Sequence, residues 1–222
     1  MLLFENFDNI INTCKKYGIT NYTINNGLVD VDGDVNLSEL GLTKLPLKFG
    51  SVSGNFYCSR NNLTDLKGSP ENIGVDFYCY KNKLTDLKGS PKSVGGRFYC
   101  LNNNLTTLSG SPNSVGGNFY CNNNNLTNLE GSPKTISGDF ICSNNELTNL
   151  EGSPKTIGGH FNCLSNPIGS IFNNVDIDFI RAFNIFKVIK DDKINLKRLK
   201  YVMEMFDKPI NIEKIKQYYE ID

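Results

Sequence analysis

Residues 54–74 read GNFYCSRNNLTDLKGSPENIG, and the same frame returns at Val75, Gly96, Gly117 and Gly138, with Phe56, Phe77, Phe98, Phe119 and Phe140 in register. A repeat of 21 residues sets the architecture before any single residue is weighed, because so short a unit cannot bury its own apolar face. Stacked units bury it jointly and leave a long regular surface instead of a pocket. The sequence therefore predicts a solenoid and, with it, a binding scaffold.

Inside each unit the pattern is Phe-x-Cys-x-x-Asn-x-Leu-Thr-x-Leu, followed by x-Gly-Ser-Pro-x-x-(Val/Ile). Phe and Cys stand two apart, the period of a strand, so both point to one face and the residue between them to the other. A strand of about three to five residues fits this pattern. Asn61, Asn82, Asn103, Asn124, Asn145 and Asn166 follow each Cys by three positions. An amide side chain both donates and accepts, so a column of them satisfies the backbone groups left where each strand turns. Farther along the unit, Pro removes a donor and Gly opposes helix, which predicts extended or polyproline-like segments and turns on the return path.

The recurring motif resembles the leucine-rich repeat signature L-x-x-L-x-L-x-x-N-x-L, with Phe and Cys at the inward strand positions. Asn takes the ladder position, and Leu63, Leu84, Leu105, Leu126 and Leu147 follow it. The likeness runs in phase through five complete units and a degenerate one at each end. It is similar to short repeats of bacterial type and to repeats in proteins of tailed bacteriophages and large DNA viruses. The resemblance implies an α/β solenoid with a parallel concave β-sheet, a mostly non-helical convex side, and helical N- and C-terminal caps. A parallel β-helix is the alternative architecture; the Asn ladder and a single Phe-x-Cys strand per unit favour the leucine-rich form.

Three regions follow. Residues 1–32 form a cap of helix and strand: Phe4, Phe7, Ile10, Ile11 and Cys14 have helical spacing, Gly18 ends the helix, and Val29–Asp32 alternate as a half-exposed strand. Residues 33–172 form the solenoid. Its first unit is disguised, with Val35 and Leu37 at the Phe and Cys positions, Leu42, Leu45 and Val52 in later core positions, and Leu40 in place of Asn. Its last keeps Phe161, Cys163 and Asn166 before Pro167 and Ile168 break the pattern. Residues 173–222 turn helical beyond Asn174. Phe179, Ile180, Phe183 and Phe186 form one apolar group; Leu196, Leu199, Val202, Met203 and Phe206 another; Ile212, Ile215 and Tyr219 a third. Asn195 and Asn211 suit N-caps, and Pro209 divides the last two helices.

Lys plus Arg equals Asp plus Glu at 23 each over 222 residues, a balance that argues against general affinity for nucleic acid or anionic membrane. No apolar run approaches bilayer length, and the first residues lack the basic region and apolar core of a signal peptide, so the expected compartment is cytoplasmic. If the chain is viral, that compartment is the host cytoplasm, or the virion. Cys58, Cys79, Cys100, Cys121, Cys142 and Cys163 form one column, with Cys14 apart. Parallel strands about 4.8 Å apart aim such side chains the same way, which suits free buried thiols and neither disulfides nor tetrahedral zinc.

The expected partner site is the outward column of the concave sheet. Tyr57, Tyr78, Tyr99 and Tyr120 occupy the position between Phe and Cys, and Tyr80, Arg97 and Leu101 stand beside them, an aromatic and arginine content typical of recognition surfaces. No catalytic constellation surrounds His160, the one histidine, and Asp30, Asp32 and Asp34 lack the spacing of a calcium loop. No catalytic residue, metal or cofactor is therefore expected. Lys187, Lys190, Lys193, Lys197, Arg198 and Lys200 read as a solvated cap face broken by Asp191 and Asp192, with an acidic partner as the alternative. The sequence points to a non-enzymatic protein-protein interaction module engaging a host or virion protein; the alternative is a structural accessory component of a virion or its assembly.

Overall fold

A computed structural model describes residues 2–170, 177–190 and 193–222, with side chains described except at 2–6, 170, 177 and 190. Phe4, Asn174, Lys190, Asp191 and Asp192 of the sequence reading lie outside the described residues or side chains.

The 21-residue period folds as a β-solenoid with two parallel sheets. The front sheet stacks Val35–Asn36, Phe56–Tyr57, Phe77–Tyr78, Phe98–Tyr99, Phe119–Tyr120, Phe140–Ile141 and Phe161–Asn162, each paired in parallel with the next. The back sheet runs from Phe49–Val52 through Asn72–Ile73, Ser93–Val94, Ser114–Val115 and Thr135–Ile136 to Thr156–Ile157. Each regular unit thus carries two strands where the sequence reading placed one, and the regular strands are two residues long, shorter than expected. The return path is extended as anticipated, but it pairs into a sheet. One buried Val or Ile per back strand, such as Val94 or Ile136, anchors it inward.

Backbone hydrogen bonds run in opposite senses in the two sheets. In front, N–H groups donate to the following unit, as from Phe56 to the Asp76 carbonyl at 2.9 Å and from Cys58 to that of Tyr78 at 2.8 Å. In back they donate to the preceding unit, as from Glu71 to Gly50 at 2.8 Å and from Gly74 to Val52 at 2.9 Å.

Between the sheets lies an apolar interior of register columns. Phe56, Phe77, Phe98, Phe119, Phe140 and Phe161 are fully buried, and Phe98 sits 5.1 Å from each neighbouring ring. Each such ring contributes about 1.5–3 kcal/mol by leaving water. All six column cysteines are buried and free. Burial raises their thiol pKa values, that of Cys163 up to about 12, so they pack as apolar groups and not as thiolates.

The asparagine ladder is present from Asn61 to Asn166, with every member buried. Asn103 is typical: its Nδ2 donates to the Cys79 and Cys100 carbonyls at 3.1 Å each, while Oδ1 accepts from the N–H groups of Asn82 at 3.1 Å and Leu84 at 3.2 Å. One amide closes the turn of its own unit and fastens it to the unit before.

Helix α1, Leu2–Lys16, covers the first end with Ile10 and Cys14, and Gly18 follows it at φ +64°. Phe7 and Ile11 point to solvent, 45% and 40% exposed, which corrects their assignment to the covering face. An antiparallel hairpin, Tyr22–Asn25 with Leu28–Val31, extends the back sheet. Val29 and Val31 are buried and Asp30 is half-exposed, the alternation expected of this segment.

The other end carries α2 (Ile177–Ile185), α3 (Leu196–Met205) and α4 (Ile212–Ile215), with Asn195 and Asn211 capping α3 and α4 as read. The cap is not purely helical. Ile189–Lys190, Lys193–Ile194 and Glu220–Ile221 form a small third sheet, and Tyr219 lies past α4 with its hydroxyl donating to the Thr148 carbonyl at 2.8 Å.

Candidate functional site

A parallel register puts identical positions above one another, so Tyr57, Tyr78, Tyr99 and Tyr120 form one column on the outer front face. Their rings stack at centroid spacings of 4.6, 4.6 and 4.7 Å with interplanar angles of 11°, 7° and 4°. All four are half-buried, and Ile141 and Asn162 continue the column. The rings touch face to face, and each such pair contributes about 0.5–1.5 kcal/mol.

Hydroxyl contacts fix the stack sideways. Tyr78 donates to Asp76 Oδ2 at 2.9 Å, Arg97 Nη1 donates to the Tyr99 hydroxyl at 3.3 Å, and Asn118 Nδ2 donates to the Tyr120 hydroxyl at 2.8 Å. Burial, with the Asp76 bond second, raises the Tyr78 pKa, so its phenol remains a protonated donor. Burial, with the charges of Asp34 and Asp76 after it, also raises that of Tyr57. Arg97 is exposed beside the stack, and Tyr80 and Leu101 are half-buried two positions beyond Tyr78 and Tyr99. The predicted cluster of Tyr57, Tyr78, Tyr80, Tyr99, Arg97, Leu101 and Tyr120 therefore shares the front of the solenoid.

A second ladder borders this site. Asp34 Oδ1 accepts from the Asn55 N–H at 2.7 Å, Asn55 Oδ1 from Asp76 at 3.2 Å, and Asp76 Oδ1 from Arg97 at 2.6 Å. The pattern resumes with Asn118 Oδ1 accepting from the Asp139 N–H at 2.9 Å and Asp139 Oδ1 from the His160 N–H at 2.8 Å. Sequence reasoning did not identify this column's work in holding strand entries. The signal was available: Asp34, Asn55, Asp76, Asn118 and Asp139 recur at the unit period, broken by Arg97.

The remaining acids of the DVDGD stretch act similarly. Asp30 Oδ1 accepts from the Ser51 N–H at 2.8 Å and hydroxyl at 2.7 Å, and its Oδ2 from Asn25 at 2.8 Å; these bonds, that of Asn25 foremost, lower its pKa. Asp32 accepts from the Ser53 hydroxyl at 2.8 Å. Among the described residues no cluster of three or more His, Cys, Asp or Glu is placed to hold a metal ion, and no helix is long and apolar enough to cross a membrane. In the C-terminal cap, Lys197, Arg198 and Lys200 are exposed on α3, while Lys193 pairs with Glu220 at 2.9 Å. No protein-family model, curated protein or solved structure matches the chain.

Proposed function

We propose that this chain is a non-enzymatic protein-binding module whose partner docks on the front sheet over the tyrosine stack. The carrying observation is the four-ring column itself: rigid, half-exposed, rimmed by Asn and Asp, and flanked by Arg97, Tyr80 and Leu101. Aromatic groups already ordered before binding lose little entropy on contact, which favours them as anchors. The partner is a host or virion protein in the reading that the repeat's likeness to phage and viral repeats suggests. The asparagine ladder supports kinship with leucine-rich repeats, and the second sheet supports the parallel β-helix equally well.

A second reading, a structural accessory of a virion or of its assembly, draws on the back sheet. Its outward residues are small, among them Gly74, Ser93, Gly95, Ser114 and Gly116, and such a face suits lateral packing. Stoichiometric presence in purified virions would favour this role over an intracellular effector.

The test of the first reading is capture of the partner from the native host, followed by affinity measurement with Tyr78, Tyr99 and Tyr120 changed together to Ser. Each lost anchor is expected to weaken binding by about 1–2 kcal/mol. A thermal melt fixes the temperature at which the variant is still folded. Unchanged affinity there would move the site off the front sheet, with the basic face of α3 next in line.

A further inference from the structure

The C-terminal cap carries an open cleft of about 380 Å³, lined by Phe186, Asn195, Lys197, Arg198 and Tyr201, that shares no residue with the tyrosine column. Its walls follow from the way α2 is joined to α3. Phe186 comes directly after α2, and Lys187 then turns the chain at φ +47°. The Lys187 carbonyl accepts from Arg198 Nη1 at 3.3 Å, which ties this turn to the start of α3. Helical spacing sets Lys197 and Arg198 on one face with Tyr201, which follows them by four and three residues. The rings of Phe186 and Tyr201 meet at 5.1 Å and 70°, and so form a corner. Tyr201 is 54% exposed, enough ring surface to receive a flat ligand.

The polar groups of the lining are mostly donors. Asn195 Oδ1 is taken by the Arg198 N–H at 3.0 Å, and its Nδ2, the Lys197 ammonium and the Tyr201 hydroxyl have no partner among the described residues. Arg198 keeps further N–H groups beyond the one given to Lys187. No carboxylate lines the cleft. Among the described side chains around it, Lys187 and Lys200 add positive charge and Glu204 lies three residues past Tyr201, while Glu220 is taken by Lys193 at 2.9 Å and Asp222 acts on that same lysine. A flat, anionic, acceptor-rich molecule matches such a lining. We propose that this cleft binds a mononucleotide, its base in the corner of Phe186 and Tyr201 and its phosphate at Lys197 and Arg198. Two adjacent cations suit a phosphate monoester, which carries about −1.5 to −2 charges at neutral pH. The base also offers ring acceptors to the Asn195 amide, which a simple aromatic carboxylate lacks.

The test is calorimetric titration of AMP into the full-length protein at low ionic strength. One AMP should bind per chain, with adenosine and inorganic phosphate each at least about tenfold weaker, because each meets only part of the cleft. Tyr201→Ala is expected to weaken AMP about tenfold, the scale of one lost stacking ring, and Tyr201→Phe to bind close to the unaltered chain. Lys197→Gln should weaken AMP about threefold and flatten its salt dependence, with adenosine unchanged. Both side chains are exposed, and a thermal melt checks that each variant is folded. No AMP binding, inorganic phosphate bound as tightly as AMP, AMP indifferent to Tyr201→Ala and Lys197→Gln, or affinity that climbs with the length of an oligonucleotide would each overturn the assignment. The folded variant with Tyr78, Tyr99 and Tyr120 changed to Ser should keep AMP binding, which separates this cleft from the front sheet; loss of AMP there would overturn the assignment as well.

Discussion

Asn103 shows how much one side chain holds. Its amide meets four backbone groups from two units in a buried setting, and Asn103→Ala strands the N–H groups of Asn82 and Leu84, while the Cys79 and Cys100 carbonyls keep the amides of Asn82 and Asn124. Each buried group left unpaired costs about 1–3 kcal/mol, and the variant should lose at least about 2 kcal/mol in urea denaturation. A loss below about 1 kcal/mol would mean that water takes the amide's place. This role was readable from Asn61 through Asn166, because an amide carries two donor hydrogens and an acceptor oxygen in one small group. The Asp34–Asp139 ladder uses the same physics, with side-chain oxygens accepting from the backbone N–H one unit on. It was harder to read because Arg97 breaks it and because exposed carboxylates have an ordinary solvated explanation.

At the scale of the element, the turn after each front strand forces the residue before the ladder Asn into the left-handed region. Arg60, Lys81, Asn102, Asn123 and Asn144 stand there at φ 53–56°. Asn tolerates that conformation better than Lys or Arg, because its short polar side chain hydrogen-bonds the local backbone and offsets the crowding of Cβ against the following carbonyl. Lys81→Asn should therefore stabilise the protein by about 0.5–1 kcal/mol, read as a shift in the urea midpoint with an unchanged slope. A destabilised variant would show that the Lys81 stem packs on its neighbours. The front strands were legible through the Phe-x-Cys alternation, and the N-caps Asn195 and Asn211 through their place before apolar periodicity. The back strands were not. Ser93–Val94 and its equivalents present one inward residue followed by Gly95 or its counterparts, too short for a period of two to register. The cap strand Glu220–Ile221 is formed by pairing with Lys193–Ile194, a contact distant in sequence.

Across the whole molecule, stability is close to a sum of unit and interface contributions, because each unit touches its neighbours and little else. Removing residues 96–116 joins Gly95 to Gly117, keeps the frame, and should bring Tyr78 onto Tyr120 with the fold preserved and a cooperative melt at lower temperature. Removing 96–115 shifts the frame by one, turns inward residues outward, and should abolish the cooperative melt. Equal behaviour of the two deletions would show that register does not govern the stack. The opposed senses of hydrogen bonding in the two sheets bear on such lengthening and shortening. In one turn the N–H groups of Phe56, Cys58, Arg60 and Leu66 point toward the C-terminal end, and those of Asn62, Glu71, Gly74 and Val75 toward the N-terminal end. Four peptide dipoles are thereby set against four. An α-helix accumulates a macrodipole because its peptides align; this coil sets peptides against one another within each turn, so little field gathers at either end as units are added. The ends need apolar cover, which α1 and the C-terminal cap supply, and no countercharge.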